Sequence, residues 1–304
     1  MKSSFCLWIC LALVVAAPAL WLAGDAFYAR RVHRRASAPG APRAAAEPFT
    51  LNPAGAPAVL LIHGFADGPA VFAQLAPPLA AEGFAVRALH LPGSGVPLAE
   101  MKGITLHAWR AEVDREIAAL RAADPDRPVW LVGHSLGGAL AFDAALRPDN
   151  RVAGLVLLAP LVEVSRARSP LLAPRQWFHL LDRLLVFTDA IESRLPKDLH
   201  DPAARAAYVT DKYIHRDLYR ALFDAIDAVR PRAAEWRGPL LAVVSPSDQV
   251  VDSAATAFFF AATNAAPAKL QEQHAAGHVL PLDHGHEQLA GKIIRFLRAA
   301  SAAP

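Results

Sequence analysis

The string Gly133-His134-Ser135-Leu136-Gly137-Gly138 constrains this chain more than any other. Directly before it runs Val129-Trp130-Leu131-Val132, a short apolar stretch of β type. Directly after it runs Ala139-Leu140-Ala141-Phe142-Asp143-Ala144-Ala145-Leu146, a stretch of helix type. The chain must therefore pass from strand to helix within a few residues. A serine at such a turn occupies a backbone conformation that only small neighbours permit, and glycines stand two positions to either side of it. Its hydroxyl is pushed out over the N-terminus of the next helix. The plainer reading is a Gly-rich turn without chemistry, but the strand before and the helix after favour a nucleophile.

Other apolar runs place this turn in a fold. Ala58–Ile62, Ala85–Leu89, Leu155–Leu158 and Pro239–Val244 are short and nearly continuous, as in strands buried on both faces. Lys269–His274 is a weaker strand. Between them lie helical patterns: Val71–Glu82, Leu106–Ala123 with Trp109, Val113, Ile117 and Leu120 on one face, and Glu287–Ala300. Alternating strand and helix predicts an α/β fold, a mostly parallel sheet flanked by helices. Apolar residues make up 54% of the 304, enough for a large core. Residues 161–237 show helical patterns and no clear strand, and are too long for a simple crossover. They are read as a helical cap on a core made of residues 49–160 and 238–304.

A serine nucleophile needs a base, and the base needs an acid to orient it. Where the nucleophile sits on such a turn, the chain order is serine, acid, histidine. Asp248 follows the strand Leu240–Val244, in Ser245-Pro246-Ser247-Asp248, and His278 follows the strand Lys269–His274, in Gly277-His278. Both therefore lie at the sheet edge that carries Ser135. Asp252, the other candidate acid, is read as a helix cap. His274, His284 and His286 lack the Gly-His setting after a strand, and His134 is assigned to packing around the turn. An oxyanion needs two fixed donors. The N–H groups of Leu136 and of Phe65, in His63-Gly64-Phe65 after the first strand, are expected to supply them. His63 is read as a ring that pins that loop.

No cofactor and no metal are expected. There is no His-Glu-x-x-His and no Gly-x-Gly-x-x-Gly, and Asp283, His284 and His286 make only a small polar cluster. The two cysteines, Cys6 and Cys10, lie near the N-terminus, which rules out a disulfide framework in the globular part. The net charge of +3 resides largely in Arg30, Arg31, Arg34, Arg35 and Arg43, so no nucleic-acid partner is expected. Residues 3–24 carry no charge and are long enough to span a bilayer, with Trp8 and Trp21 toward the ends. Residues 1–35 are thus expected to be a membrane anchor, as in a bacterial inner membrane, with a cleaved signal peptide for an exported protein as the competing reading. The arginines that follow would hold the domain on the cytoplasmic side. Residues 36–48, rich in Ala and Pro, are read as a linker.

These residues together resemble the α/β-hydrolase superfamily over about residues 49–299, and within it the bacterial carboxylesterases and monoacylglycerol lipases, which share sequence pattern with serine aminopeptidase-type hydrolases. The likeness rests on His63-Gly64-Phe65, the Ser135 string, the Asp248 loop and Gly277-His278-Val279-Leu280-Pro281-Leu282-Asp283, followed by a helix ending Ile294-Arg295-Phe296-Leu297. It implies Ser135, Asp248 and His278 as triad and Phe65 and Leu136 as oxyanion donors. Two features depart from it: Ser-Pro-Ser-Asp stands where Gly or Ala often precedes the acid, and the N-terminus is apolar. The implied activity is hydrolysis of acyl esters or lipids through an acyl-enzyme. Trp177, Phe178, Leu180, Leu181, Leu184, Leu185 and Phe187 would line an acyl tunnel or pack the cap down. The rival readings are a peptidase or amidase, with Asp182, Asp189, Glu192 or Asp224 holding an amine; a thioesterase or acyltransferase; and a membrane-tethered binding module without catalysis.

Overall fold

The structure, a computed structural model, describes residues 2–169 and 171–301, the first fourteen of them, residues 2–15, as backbone only. Helix α1 (Lys2–Ala36) opens the chain. Much of the expected anchor, residues 3–15, lies outside the described side chains. Among the described residues, no helix is long and apolar enough to cross a membrane. The end of α1 is part of the globular body, because Ala29, Val32 and Ala36 are buried in its core. The expected linker is likewise docked. Ala44 N–H donates to Asp211 Oδ1 at 3.1 Å, and the Pro42 carbonyl accepts from the Lys212 amide at 3.3 Å.

Strand β1 (Phe49–Leu51) leads to β2 (Ala58–Ile62), then α2 (Ala76–Ala81), β3 (Ala85–Ala88), a single turn α3 (Leu98–Met101) and α4 (Leu106–Ala123). Strand β4 (Val129–His134), α5 (Leu136–Ala145) and β5 (Gly154–Leu158) complete the first part of the core. The cap contains α6 (Pro174–Leu184), β6 (Ala190–Glu192), α7 (Pro202–Ala207) and β7 (Tyr213–His215). Helix α8 (Arg216–Val229) returns to the core, followed by β8 (Leu240–Val244), α9 (Ser253–Ala261), β9 (Ala268–Glu272) and α10 (His286–Ser301).

Seven strands form one sheet in the order β1-β3-β2-β4-β5-β8-β9. Only the β1–β3 pairing is antiparallel; the other five are parallel. Side chains along each strand alternate between the two faces. Leu60, Leu131, Leu155 and Leu240 therefore pack with α4, α5 and α8 on one side. Leu61, Trp130, Val156 and Leu241 pack with α2 and α10 on the other, where Trp130 meets Phe296 edge-on at 5.9 Å. Because both faces are covered, these strands read as continuous apolar runs.

Two expectations about the cap change. Its residues hold a two-stranded antiparallel sheet, β6 with β7, where no strand was expected. Three residues are too few to show a period. Helix α8, counted with the cap in the sequence, belongs to the core's helical layer: Leu218, Ala221, Leu222, Ala225 and Ile226 are spaced to bury one face against α5.

The crossing of α5 behind β2 fixes the geometry of the turn between β4 and α5. A Cβ placed on Gly137 would collide with the carbonyl oxygens of Ile62 and His63. Replacing Gly137 by Ala is expected to cost about 3 kcal/mol by overpacking against backbone that cannot yield. Urea denaturation of Gly137→Ala beside the wild type measures it; an equal midpoint would refute the crowding.

Candidate active site

Ser135 stands between β4 and α5 at φ 54° and ψ −119°. A non-glycine residue at positive φ is strained, and the surrounding hydrogen bonds hold it there. The Ser135 amide donates to the Leu158 carbonyl at 2.9 Å, while its own carbonyl accepts from Gly138 and Leu161, each at 2.9 Å. A Cβ on Gly133 would strike the Gly137 carbonyl, so the turn closes this tightly only with glycine there.

The three residues expected to work together meet. His278 Nε2 lies 2.9 Å from Ser135 Oγ, and His278 Nδ1 lies 2.7 Å from Asp248 Oδ2. All three are buried. The second Asp248 oxygen accepts the amides of Val250 at 2.7 Å and Val251 at 2.8 Å. Burial alone would push the Asp248 pKa up, but His278 and these amides outweigh it and hold the carboxyl below its ordinary value. An ionised Asp248 accepts from Nδ1–H, which leaves the Nε2 lone pair facing the serine hydroxyl. That is the tautomer a general base needs.

Leu136 is the first residue of α5, so its N–H belongs to the helix-end donors that have no intrahelical partner. The loop after β2 passes against the serine: a Cβ on Gly64 would lie 3.2 Å from Ser135 Cβ. Phe65 follows, and it lines the same cavity as Ser135. His63 pins the loop. Its Nε2 accepts the Leu91 amide at 3.0 Å and its Nδ1 lies 2.9 Å from the Gly64 carbonyl. With its lone pair so used, and burial pushing its pKa down to about 3, His63 is a neutral strut. His134 packs at 4.9 Å from the His278 ring, and its Nε2 lies 3.1 Å from the His278 carbonyl.

Ser135 and His278 open into a cavity of about 440 Å³ under the cap. Of the apolar cap stretch, Phe178, Leu181 and Leu185 line the cavity, whereas Leu180, Leu184 and Phe187 face outward. Phe65, Tyr219 and Phe223 close the aromatic side, with Phe65 and Tyr219 5.1 Å apart.

The model of one protein family, described as "Serine aminopeptidase, S33", matches residues 54–285. The chain belongs to that family. Among curated proteins it is 36% identical over 123 residues to Lipase LipV of Mycobacterium tuberculosis, which is 38% of this chain and 42% of that one. It is 27% identical over 199 residues to the monoacylglycerol lipase of Mycolicibacterium smegmatis, 64% of this chain and 70% of that one. The match to LipV thus spans less than half of that relative's length. Among solved structures, the monoacylglycerol lipase of Paleococcus ferrophilus superposes with a TM-score of 0.68 at 21% identity, covering 84% of this chain and 98% of that one. A metagenome-derived lipolytic enzyme gives 0.73 at 22%, with the same coverage. These superpositions show the α/β-hydrolase fold.

Of the four carboxylates considered for holding an amine, three are already engaged. Asp182 pairs with Arg220 at 2.7 Å and Arg216 at 3.2 Å, and Asp189 with His33 at 2.6 Å. Glu192 sits among Arg35, Arg194 and Lys212, and Asp224 is exposed. Asp252 caps α9 through the Ala255 amide at 2.9 Å, as expected.

Two structuring residues escaped the sequence reading. Asp283 accepts four backbone amides, from Gly277 at 2.7 Å and from His200, Asp201 and His284 at 2.8 Å each. The Asp198 carbonyl accepts the His278 amide at 2.9 Å, and its carboxylate accepts the Gln249 amide at 2.7 Å. These two hold the loops that carry His278 and Asp248.

A further carboxyl, Asp67, is buried beside His134, with its Oδ2 3.9 Å from Nδ1. Burial pushes its pKa up to about 7, which the Gly68 amide and Tyr208 only partly offset. A folded-state value above the ordinary 3.8 means that the neutral acid favours folding below about pH 4, an advantage lost as pH rises to about 7. Asp67→Asn, which stays neutral, should therefore gain stability over the wild type as pH rises from about 4 to about 7, and keep that gain above it, in urea midpoints. A difference independent of pH would show that Asp67 is ionised throughout.

Proposed function

We propose that the protein is a serine ester hydrolase that cleaves carboxylic acyl esters, of the carboxylesterase or monoacylglycerol lipase kind. The observation that carries this is the in-line pair of hydrogen bonds Ser135–His278–Asp248 on the floor of an apolar cavity. His278 takes the Ser135 proton as Oγ attacks the ester carbonyl. The Phe65 and Leu136 amides receive the oxyanion. As the tetrahedral adduct collapses, the C–O bond breaks and His278 returns the proton to the leaving alcohol, leaving an acyl-serine. Water, deprotonated by His278, then releases the acid and restores Ser135. Asp248 holds the imidazole and balances its charge throughout.

The names of the lipase relatives support the same reading. The amidase reading draws less support, because Asp182 and Glu192 are paired with arginines, Asp189 is hydrogen-bonded to His33, and the exposed Asp224 does not line the cavity. The reading extends to attachment at a bilayer through residues 3–24, whose uncharged length supports it.

The test is turnover of p-nitrophenyl esters of rising acyl length by the full chain. Ser135→Ala should lose activity and fluorophosphonate labelling together. Asp248→Asn should keep its fold and lose about 10⁴-fold in kcat, because the histidine then takes the wrong tautomer. A wild type inert toward every ester and probe would overturn the proposal; labelling without ester turnover would move it to an amide or acyl-transfer substrate.

A further inference from the structure

Helix α1 grips the cap along a single stripe. Trp21, Asp25, Tyr28, Val32 and Arg35 recur at three- and four-residue spacing, so they lie on one face. All but Val32, which is buried in the core, hold the chain between Leu184 and Glu192. Trp21 Nε1 donates to the Leu184 carbonyl at 2.9 Å. Asp25 Oδ2 accepts the amides of Val186 at 2.7 Å and Phe187 at 2.8 Å, and Oδ1 accepts that of Thr188 at 3.1 Å. The Thr188 hydroxyl returns a bond to the Asp25 carbonyl at 3.3 Å. Tyr28 Oη accepts the Glu192 amide at 3.4 Å, and Arg35 pairs with Glu192.

The other side of this same segment faces the cavity. Leu185, Thr188 and Ile191 line it together with Ser135. The segment that Asp25 holds by its amides thus lies between α1 and the space where an acyl chain would lie, and Thr188 touches both. No regular structure runs from Leu185 to Asp189; the Leu185 amide still bonds back to Leu181 of α6 at 2.9 Å, whereas the amides of Val186, Phe187 and Thr188 turn to Asp25. Asp25 supplies what secondary structure does not. Burial opposes its charge, but the three amides and the Thr188 hydroxyl outweigh it and keep the carboxylate ionised.

We infer that Asp25 is a positioning residue that fixes the cavity wall Leu185–Ile191 and so sets the acyl length the site accepts. The inference rests on the ester-hydrolase reading. It makes α1 part of the substrate site although α1 lies outside the family-matched residues 54–285. Losing Asp25 strands three amides and frees the wall, while the Ser135–His278–Asp248 array, on the sheet edge, keeps its own supports.

The experiment compares Asp25→Ala, Asp25→Asn and Trp21→Phe with the wild type, all as full chains. The readout is kcat/KM on p-nitrophenyl decanoate divided by kcat/KM on the acetate. Displacing a wall that orients substrate should lower this ratio about tenfold in Asp25→Ala. Asp25→Asn, which keeps one acceptor oxygen, should fall between that variant and the wild type. Trp21→Phe, which removes one N–H from an exposed ring, tests the same wall should the Asp25 variants not fold. Amide exchange at Val186–Thr188 should quicken in step with the ratio. An unchanged ratio beside an active wild type overturns the inference alone, as does an equal loss on both esters. A wild type inert toward every ester overturns the ester reading and the acyl-length inference with it.

Discussion

Helix α5 approaches the end of β2 too closely for any side chain at Gly137, and the rest of the site depends on that approach. Helix α5 comes so near that no side chain fits at Gly137 or Gly133. That proximity forces Ser135 into a positive-φ corner and aims its hydroxyl away from the chain. It also brings the loop His63-Gly64-Phe65 against the serine. Nucleophile and loop amide are therefore set by one contact. Strain of about 1–3 kcal/mol at such a residue persists only where the surroundings over-determine it. Here four backbone hydrogen bonds and the packing of a helix buried from Leu136 to Ala144 do so.

Around that contact, buried carboxylates act mainly as acceptors for peptide amides. Asp248 takes two, Asp25 three and Asp283 four. Hydrogen bonds to an ionised acceptor are roughly twice as strong as neutral ones, and a buried amide left without a partner costs about 1–3 kcal/mol. Such carboxylates give irregular loops the fixed geometry that strands and helices obtain from their own ladders. In this protein the loops that need it most are those carrying His278, Asp248 and the cavity wall.

The residues legible in the sequence were those whose neighbours in the chain reveal their setting. The strands β2, β4, β5 and β8 are buried on both faces and so appear as apolar runs. Ser135 and Asp248 each follow such a run, and His278 follows the weaker, more exposed strand β9, where Gly277-His278 marked the setting. Strands β6 and β7 could not be read, since three residues carry no period. Asp25, Asp198 and Asp283 were invisible for a different reason. Their partners are backbone amides, which every residue but proline possesses, so no partner letter marks the contact. For Asp25 those partners lie more than 160 positions away. The docking of residues 36–48 escaped for the same reason, as it depends on Asp211 meeting two main-chain groups.

Asp283 joins two parts of the chain that are usually regarded as separable. It binds Gly277, next to His278, and also His200 and Asp201, where the cap returns. Asp198, a cap residue, supports the His278 loop from the other side. The cap is therefore not an interchangeable module clipped onto a finished catalytic core. A cap transplanted from a relative would have to bring its own Asp198 carbonyl and its own pair of amides for Asp283. Otherwise the graft would loosen the histidine it was meant only to cover. Substrate range and catalytic competence are thus inherited together in this chain, and its descendants could change one only by rebuilding the junction with the other.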